Sequence, residues 1–151
     1  MLQYLKLEGE IMESRVNTAI KNHKRGMNCA QAVLCTYGDM FGLDEKTAFR
    51  VSEGFGAGMG GMQSVCGALT GLFMLLGLQN SSGSVANITK GATAKLVRDA
   101  AAKFQEKNKS IICAELKGVN GKNVLRSCDG CIEDACKIFE EYIAAIEQPI
   151  K

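Results

Sequence analysis

The stretch from Gly54 to Thr89 contains no charged residue, and its centre, Val65–Leu78 (VCGALTGLFMLLGL), is a continuous apolar run. Such a segment must either cross a membrane or be enclosed by the rest of the chain. A span needs about 20 mostly apolar residues. This run has 14, with Gln63-Ser64 before it and Gln79-Asn80-Ser81-Ser82 after it. It therefore reads as a buried central helix, and no membrane insertion is expected.

The remaining sequence has to supply the wall around that helix. At 151 residues and 46% hydrophobic, the chain is one domain's worth (residues 1–151). A chain of that length buries roughly two thirds of its unfolded surface without metal or disulfide as obligatory glue. The apolar spacing is helical almost throughout. Ile11, Met12, Val16, Ala19 and Ile20 mark a first helix ending near Gly26, and Asn28 can cap a second over CAQAVLCTYGDMF. Asp44 can cap a short third helix to about Glu53. After the loop GFGAGMGG (54–61), the apolar helix starts near Ser64. An Ala-rich helix is expected from about Val85 to Lys109 and a brief one over IICAEL to Gly118. A last helix capped by Ser127 or Asp129 carries the stripe Ile132, Ala135, Ile138, Phe139, Tyr142, Ile143 and Ile146. No segment alternates with period two between hairpin signals. The expected fold is all-α: a compact single-domain helical bundle with a buried central helix after a Gly-rich loop.

Charge and composition exclude several functions. Lys+Arg of 18 against Asp+Glu of 16 leaves a net charge of +2, with both signs spread along the chain. No basic face is written here, so no nucleic-acid partner is expected. The first residues, MLQYLKLEGEIMESR, carry Lys6, Glu8, Glu10 and Glu13 and do not read as a secretory signal, which makes a cytoplasmic location the expectation. There is one histidine, His23, in NHKRG at the polar end of the first helix. A solvated or dipole-facing His is the usual reading of that position. Conventional hydrolase or transferase chemistry has no paired acid and base to work with.

Seven cysteines remain to be explained, at 29, 35, 66, 113, 128, 131 and 136. In a cytosolic chain that number points to metal, cluster or redox work more than to structural disulfides. On the helix map Cys29, Cys66 and Cys128 fall in first turns, and Cys113 falls near the start of a short helix. Unpaired N–H groups and the helix dipole lower a thiol's pKa there and favour the thiolate. Cys35 and Cys136 sit mid-helix near apolar stripes and read as packing residues. Cys128-Asp129-Gly130-Cys131 is a CxxC suited to a redox dithiol, half a zinc site or two cluster ligands.

The glycine loop formally matches GxGxxG at Gly56, Gly58 and Gly61. A dinucleotide fold, however, needs a strand before the loop and an acid about 20 residues on. A short helix precedes it here, and the next acid is Asp99. Close backbone approach is the better explanation. Gly58, Gly60, Gly61 and Gly67 are the positions where backbone can lie against a cofactor, and Gly67 and Gly71 form a small-residue stripe for a packed helix.

Together these segments resemble the redox-active protein family known by its pattern, C_GCAxxG_C_C. The resemblance runs from NCAQAV with Cys29, through CGALTG with Cys66, Gly67, Ala68 and Gly71, to Cys113 in ICAELKG and the CxxCIEDACKIFEEYI segment. Cys128 matches the fourth cysteine by its distance from Asp134-Ala135, with Cys131 close by. The chain reads Val-Cys-Gly-Ala where the family shorthand has Gly-Cys-Ala, and it adds Cys35, Cys131 and Cys136. The resemblance implies a redox role for the four cysteines, usually in bacteria or archaea.

The expected site therefore joins Cys29, Cys66, Cys113 and Cys128 as redox or catalytic thiols, with Cys131 added as a metal ligand. Such a protein acts as an oxidoreductase or electron carrier, toward a partner protein or a small electron donor or acceptor. An iron–sulfur cluster on all-cysteine ligands and a dithiol/disulfide couple both fit, with zinc behind them. Cys66 is the expected most sensitive thiol, reachable beside the flexible loop. A non-catalytic helical binding module with a structural Cys/zinc site or packing cysteines is the alternative. Gly-rich helix faces also suit a homodimer.

Overall fold

The computed structural model describes residues 4–7 and 10–146; the outermost residues of the expected domain lie outside these. Among the described residues, a two-stranded antiparallel hairpin, β1 (Tyr4–Leu7) and β2 (Glu10–Glu13), precedes seven α-helices. These are α1 (Val16–Lys24), α2 (Cys29–Tyr37), α3 (Glu45–Glu53), α4 (Gly67–Asn80), α5 (Lys90–Asn108), α6 (Cys113–Lys117) and α7 (Cys128–Ile146). The only sheet among the described residues is this terminal hairpin, and the core is built mainly by the helices. The fold is all-α.

The apolar run becomes α4 and lies at the centre. Ala68, Leu69, Leu72 and Leu75 are fully enclosed, packed with Val33, Leu34 and Tyr37 of α2, Phe104 of α5 and Ile132 and Phe139 of α7. Each buried leucine contributes roughly 1.5–3 kcal/mol relative to an exposed one. Glycine sets how closely α2 approaches. A Cβ on Gly71 would lie 2.9 Å from the Ala30 carbonyl oxygen and 3.0 Å from the Val33 Cβ. One turn earlier, a Cβ on Gly67 would lie 3.0 Å from the Cys29 Cβ. The same close contact that packs the core thus brings the starts of α2 and α4 together. No helix among the described residues is long and apolar enough to cross a membrane.

The caps follow the sequence. Asn28 accepts from the Gln31 amide while the Gln31 side chain accepts from the Asn28 amide, a reciprocal capping box at the start of α2. Asp44 accepts from the Thr47 amide at 2.9 Å, and Ser127 Oγ accepts from the Gly130 amide at 3.0 Å. Gly118, at φ +68°, ends α6 in the left-handed conformation.

Three boundaries differ from expectation. The first helix starts at Val16, and Ile11 and Met12 belong to β2. Buried Glu140 of α7 accepts from Ser14 Oγ at 2.6 Å and from the Arg15 amide at 2.9 Å, so a tertiary anchor fixes where the chain enters α1. The Ala-rich helix starts at Lys90 instead of near Val85. Side-chain hydroxyls capture the backbone before it: Ser81 Oγ accepts from the Gly83 amide, Ser84 Oγ from Ala86, and Thr89 Oγ1 from Ser82. The central helix starts at Gly67 instead of near Ser64, because Val65 is used in an isolated bridge to Ile112.

Candidate functional site

Four helix N-termini meet at one place. Cys29, Cys113 and Cys128 are the first residues of α2, α6 and α7, and Cys66 is the N-cap of α4. Two backbone features hold the starts of α4 and α6 together. The Cys66 amide donates to the Ile111 carbonyl at 2.8 Å, and the Cys113 amide donates to the Ser64 carbonyl at 2.9 Å. The glycine loop closes over them. Gly58 sits at φ +55° and so close to α6 that a Cβ there would lie 2.4 Å from the Cys113 Cβ. Ala57 and Met59 in the same loop, and Met62 just after it, also adopt positive φ, which costs non-glycine residues free energy.

The result is a cavity of about 20 Å³ lined by Cys29, Cys66, Cys113, Cys128 and Cys131, with Gly58, Gly67, Lys117 and Arg126 among its other walls. It is about large enough for one water-sized group. The structure thus brings together all five expected ligand cysteines. Of the four glycines, Gly58 and Gly67 line the cavity, whereas Gly60 and Gly61 are exposed and do not. Cys35 and Cys136 lie outside it. Cys136 is fully buried in the core, and burial pushes its thiol up to about 12; burial likewise pushes Cys35 up to about 11.

The thiols titrate as two coupled pairs, Cys29 with Cys128 and Cys66 with Cys131. In each pair one member ionises early and the other late, because the thiol of one donates to the thiolate of the other. Cys128 is pulled down to about 5, chiefly by the Cys29 hydrogen bond, with Lys117 and His23 adding to it against burial. Cys29 is pushed up by the same bond and by burial. Cys66 is lowered, first by the bond from Cys131 and then by the Ala68 and Leu69 amides at the start of α4; Cys131 is correspondingly raised. Burial raises Cys113. The pairs also differ in access: Cys66 is 5% exposed and Cys131 2%, whereas Cys29 and Cys128 are only partly buried. The reachable thiolate is therefore Cys128 and not Cys66, because the glycine loop covers α4's start instead of leaving it open.

Sequence reasoning missed three neighbours. Lys117, one turn after Cys113, hydrogen-bonds to the Cys128 sulfur, whose charge outweighs the effect of burial and raises the lysine's pKa. Arg126 lies across the start of α7, where a Cβ on Gly130 would meet its Nε at 2.4 Å; buried Asp134 holds that Nε at 3.0 Å. The glycine inside the CxxC is the visible trace of this contact. His23, read as a solvated or dipole-facing residue, instead places a ring nitrogen, the Cys29 sulfur and the Cys128 sulfur within 4.8 Å of one another. Its partner Cys128 is too distant in sequence for any local motif to show it.

Five thiols are a donor set suited to an iron–sulfur cluster. Cys29, Cys66, Cys113, Cys128 and Cys131 are the residues that would hold such a group, since all five line the same cavity.

No curated protein and no solved structure matches the chain. The family model described as "Putative redox-active protein (C_GCAxxG_C_C)" matches residues 27–142, a span that begins just before Cys29, ends within α7 and includes all five cavity cysteines. The chain belongs to that family.

Proposed function

We propose that the five-cysteine cavity is a thiol–disulfide redox centre with two dithiol couples, an outer Cys29/Cys128 pair and an inner Cys66/Cys131 pair. What supports this reading is the pairing itself, in which each pair sets one thiol whose ionisation is eased beside one whose ionisation is opposed. Attack requires a thiolate, and resolution requires a second thiol beside it.

The outer couple meets the partner. Cys128 as thiolate attacks one sulfur of a partner disulfide, forming a mixed disulfide and releasing the partner's first thiolate. The charge that held the Cys29 proton is then gone, so Cys29 deprotonates and attacks the Cys128 sulfur. The Cys29–Cys128 disulfide forms and the partner's second thiolate leaves. Two electrons pass to the partner; the Cys29 proton goes to one of its thiolates, and the other takes a proton from solvent. Cys66 and Cys131 can reduce the outer disulfide by the same exchange, becoming oxidised themselves. Lys117 stabilises the Cys128 thiolate in the resting state.

Titration of the reduced protein with a small aromatic disulfide, followed by mass-spectrometric mapping, tests this. Cys29–Cys128 and Cys66–Cys131 linkages are the expected products. Disulfides distributed without regard to these pairs would overturn it. Iron and sulfide in equal amounts in anaerobically purified protein, with visible absorption lost in Cys66→Ser, would instead establish a cluster.

A further inference from the structure

We propose that His23, Cys29 and Cys128 form a site for a single thiophilic divalent cation such as Zn²⁺, with Asp129 as the outer carboxylate that orients His23. The proposal goes beyond the redox reading and does not rest on it, because it concerns coordination and not electron exchange.

Three elements contribute the donors. His23 lies in the last turn of α1, Cys29 opens α2 after the short turn at Gly26, and Cys128 opens α7. One ring nitrogen and the two sulfurs already lie within 4.8 Å of one another. Tetrahedral zinc, with Zn–S of about 2.3 Å and Zn–N of about 2.0 Å, places its donors about 3.5–3.8 Å apart. Closing the gap takes side-chain movements of an ångström or less.

The outer sphere is also present. His23 Nδ1 lies 2.8 Å from Asp129 Oδ1, the next residue after Cys128. With Nδ1–H donating to that carboxylate, Nε2 carries the free lone pair, the arrangement by which carboxylates fix metal-binding histidines. His23 and Asp129 side chains are 27% and 39% exposed, so an ion has a path from solvent. The chemistry is selective, since two thiolates and an imidazole suit zinc-like ions and not magnesium or calcium. Three protein ligands leave a fourth position for water or an incoming group.

The division of the cysteines makes the idea specific. Cys66 and Cys131 face each other in the buried half and are not among these donors, so the metal should ignore them.

The test is a titration of the reduced full-length protein with Co²⁺ under anaerobic conditions. One Co²⁺ per chain should bind, with thiolate-to-metal charge transfer in the near ultraviolet, and Zn²⁺ should displace it. Cys29→Ser, Cys128→Ser and His23→Gln should each weaken binding by 100-fold or more, and Asp129→Asn by about 10-fold. Cys66→Ser and Cys131→Ser should leave it within about threefold. Zn²⁺ should also protect Cys29 and Cys128 from alkylation. Far-ultraviolet circular dichroism identifies any variant that loses helix, and Asp129→Asn changes a half-exposed side chain with little risk to the fold. Absence of Co²⁺ binding by the native chain overturns the proposal. So does unchanged affinity in folded His23→Gln and Asp129→Asn, or a loss in Cys66→Ser and Cys131→Ser equal to that in Cys128→Ser, which means a four-thiolate centre. Disulfide mapping of Cys66/Cys131 in metal-free protein is independent of all these outcomes, so failure of the redox reading is seen separately.

Discussion

Gly58 approaches Cys113 so closely that a Cβ on the glycine would lie 2.4 Å from the Cys113 Cβ. A Cβ on the nearby Gly61 would meet nothing within 4 Å, and that glycine has no positive φ. Gly58→Ala should therefore force the loop away from α6 and destabilise the protein by about 2–3 kcal/mol, combining strain and overpacking. Gly61→Ala should be within about 0.5 kcal/mol of the native protein. Denaturant unfolding of the two variants gives the comparison, and equal midpoints would show that the loop does not press on the site.

Alkylation rate against pH should report an early thiolate at Cys128, with a midpoint near 5. Lys117 favours the charged form, so Lys117→Met should move that midpoint upward, by about one pH unit. Mass-spectrometric readout at Cys128 separates it from the other thiols. A midpoint that stays in place would remove Lys117 from the site's electrostatics.

Cys66 and Cys136 should respond in opposite ways. Cys136 is fully enclosed beside Tyr37, so Cys136→Ser should lower the melting temperature with little effect on which disulfides form. Cys66→Ser should retain most of the stability and lose the Cys66–Cys131 linkage. The same disulfide map for both variants would defeat the assignment of separate roles.

Buried Asp134 ties three segments: it accepts from Lys107 at 2.5 Å, from Asn108 at 3.0 Å and from Arg126 Nε at 3.0 Å. Burial opposes its ionisation, but these bonds prevail and hold its carboxyl below the usual carboxylate range. A carboxyl with a lowered folded-state pKa contributes stability above its unfolded value, about 4, and loses it as pH falls through the folded value. Asp134→Asn should destabilise by about 2–4 kcal/mol at pH 7 and by progressively less as pH falls below about 4. Melting curves over that pH range test the sign.

What the sequence revealed, it revealed through local rules. The uncharged run predicts an enclosed α4, Asn28 and Asp44 predict their caps, and the positions of Cys29, Cys66, Cys113 and Cys128 predict four helix starts. What it concealed depends on contacts between distant segments. Ile11 and Met12 match a helical spacing, yet Glu140, far downstream, anchors the residues after them and α1 begins later. Ser81, Ser84 and Thr89 read as a short spacer, and their hydroxyls extend it at the expense of α5. The pairing of Cys128 with Cys29, and of Cys131 with Cys66, comes from how α7 is laid against α2 and α4. No CxxC spacing records that, and the spacing alone invites a 128–131 couple instead.

Five sulfurs around about 20 Å³ cannot all be anionic at once. Like charges at such distances repel strongly, and four helix starts with Lys117 offset only part of that repulsion. The reduced centre therefore keeps most of its protons, one shared within each pair. In the proposed dithiol couples, electrons leave together with protons, so acidity and oxidation are one coordinate. The potential of the centre should become more negative as pH rises, for as long as a shared proton remains to be released. In the proposed couples, pH therefore sets the driving force for exchange together with the redox state of the partner.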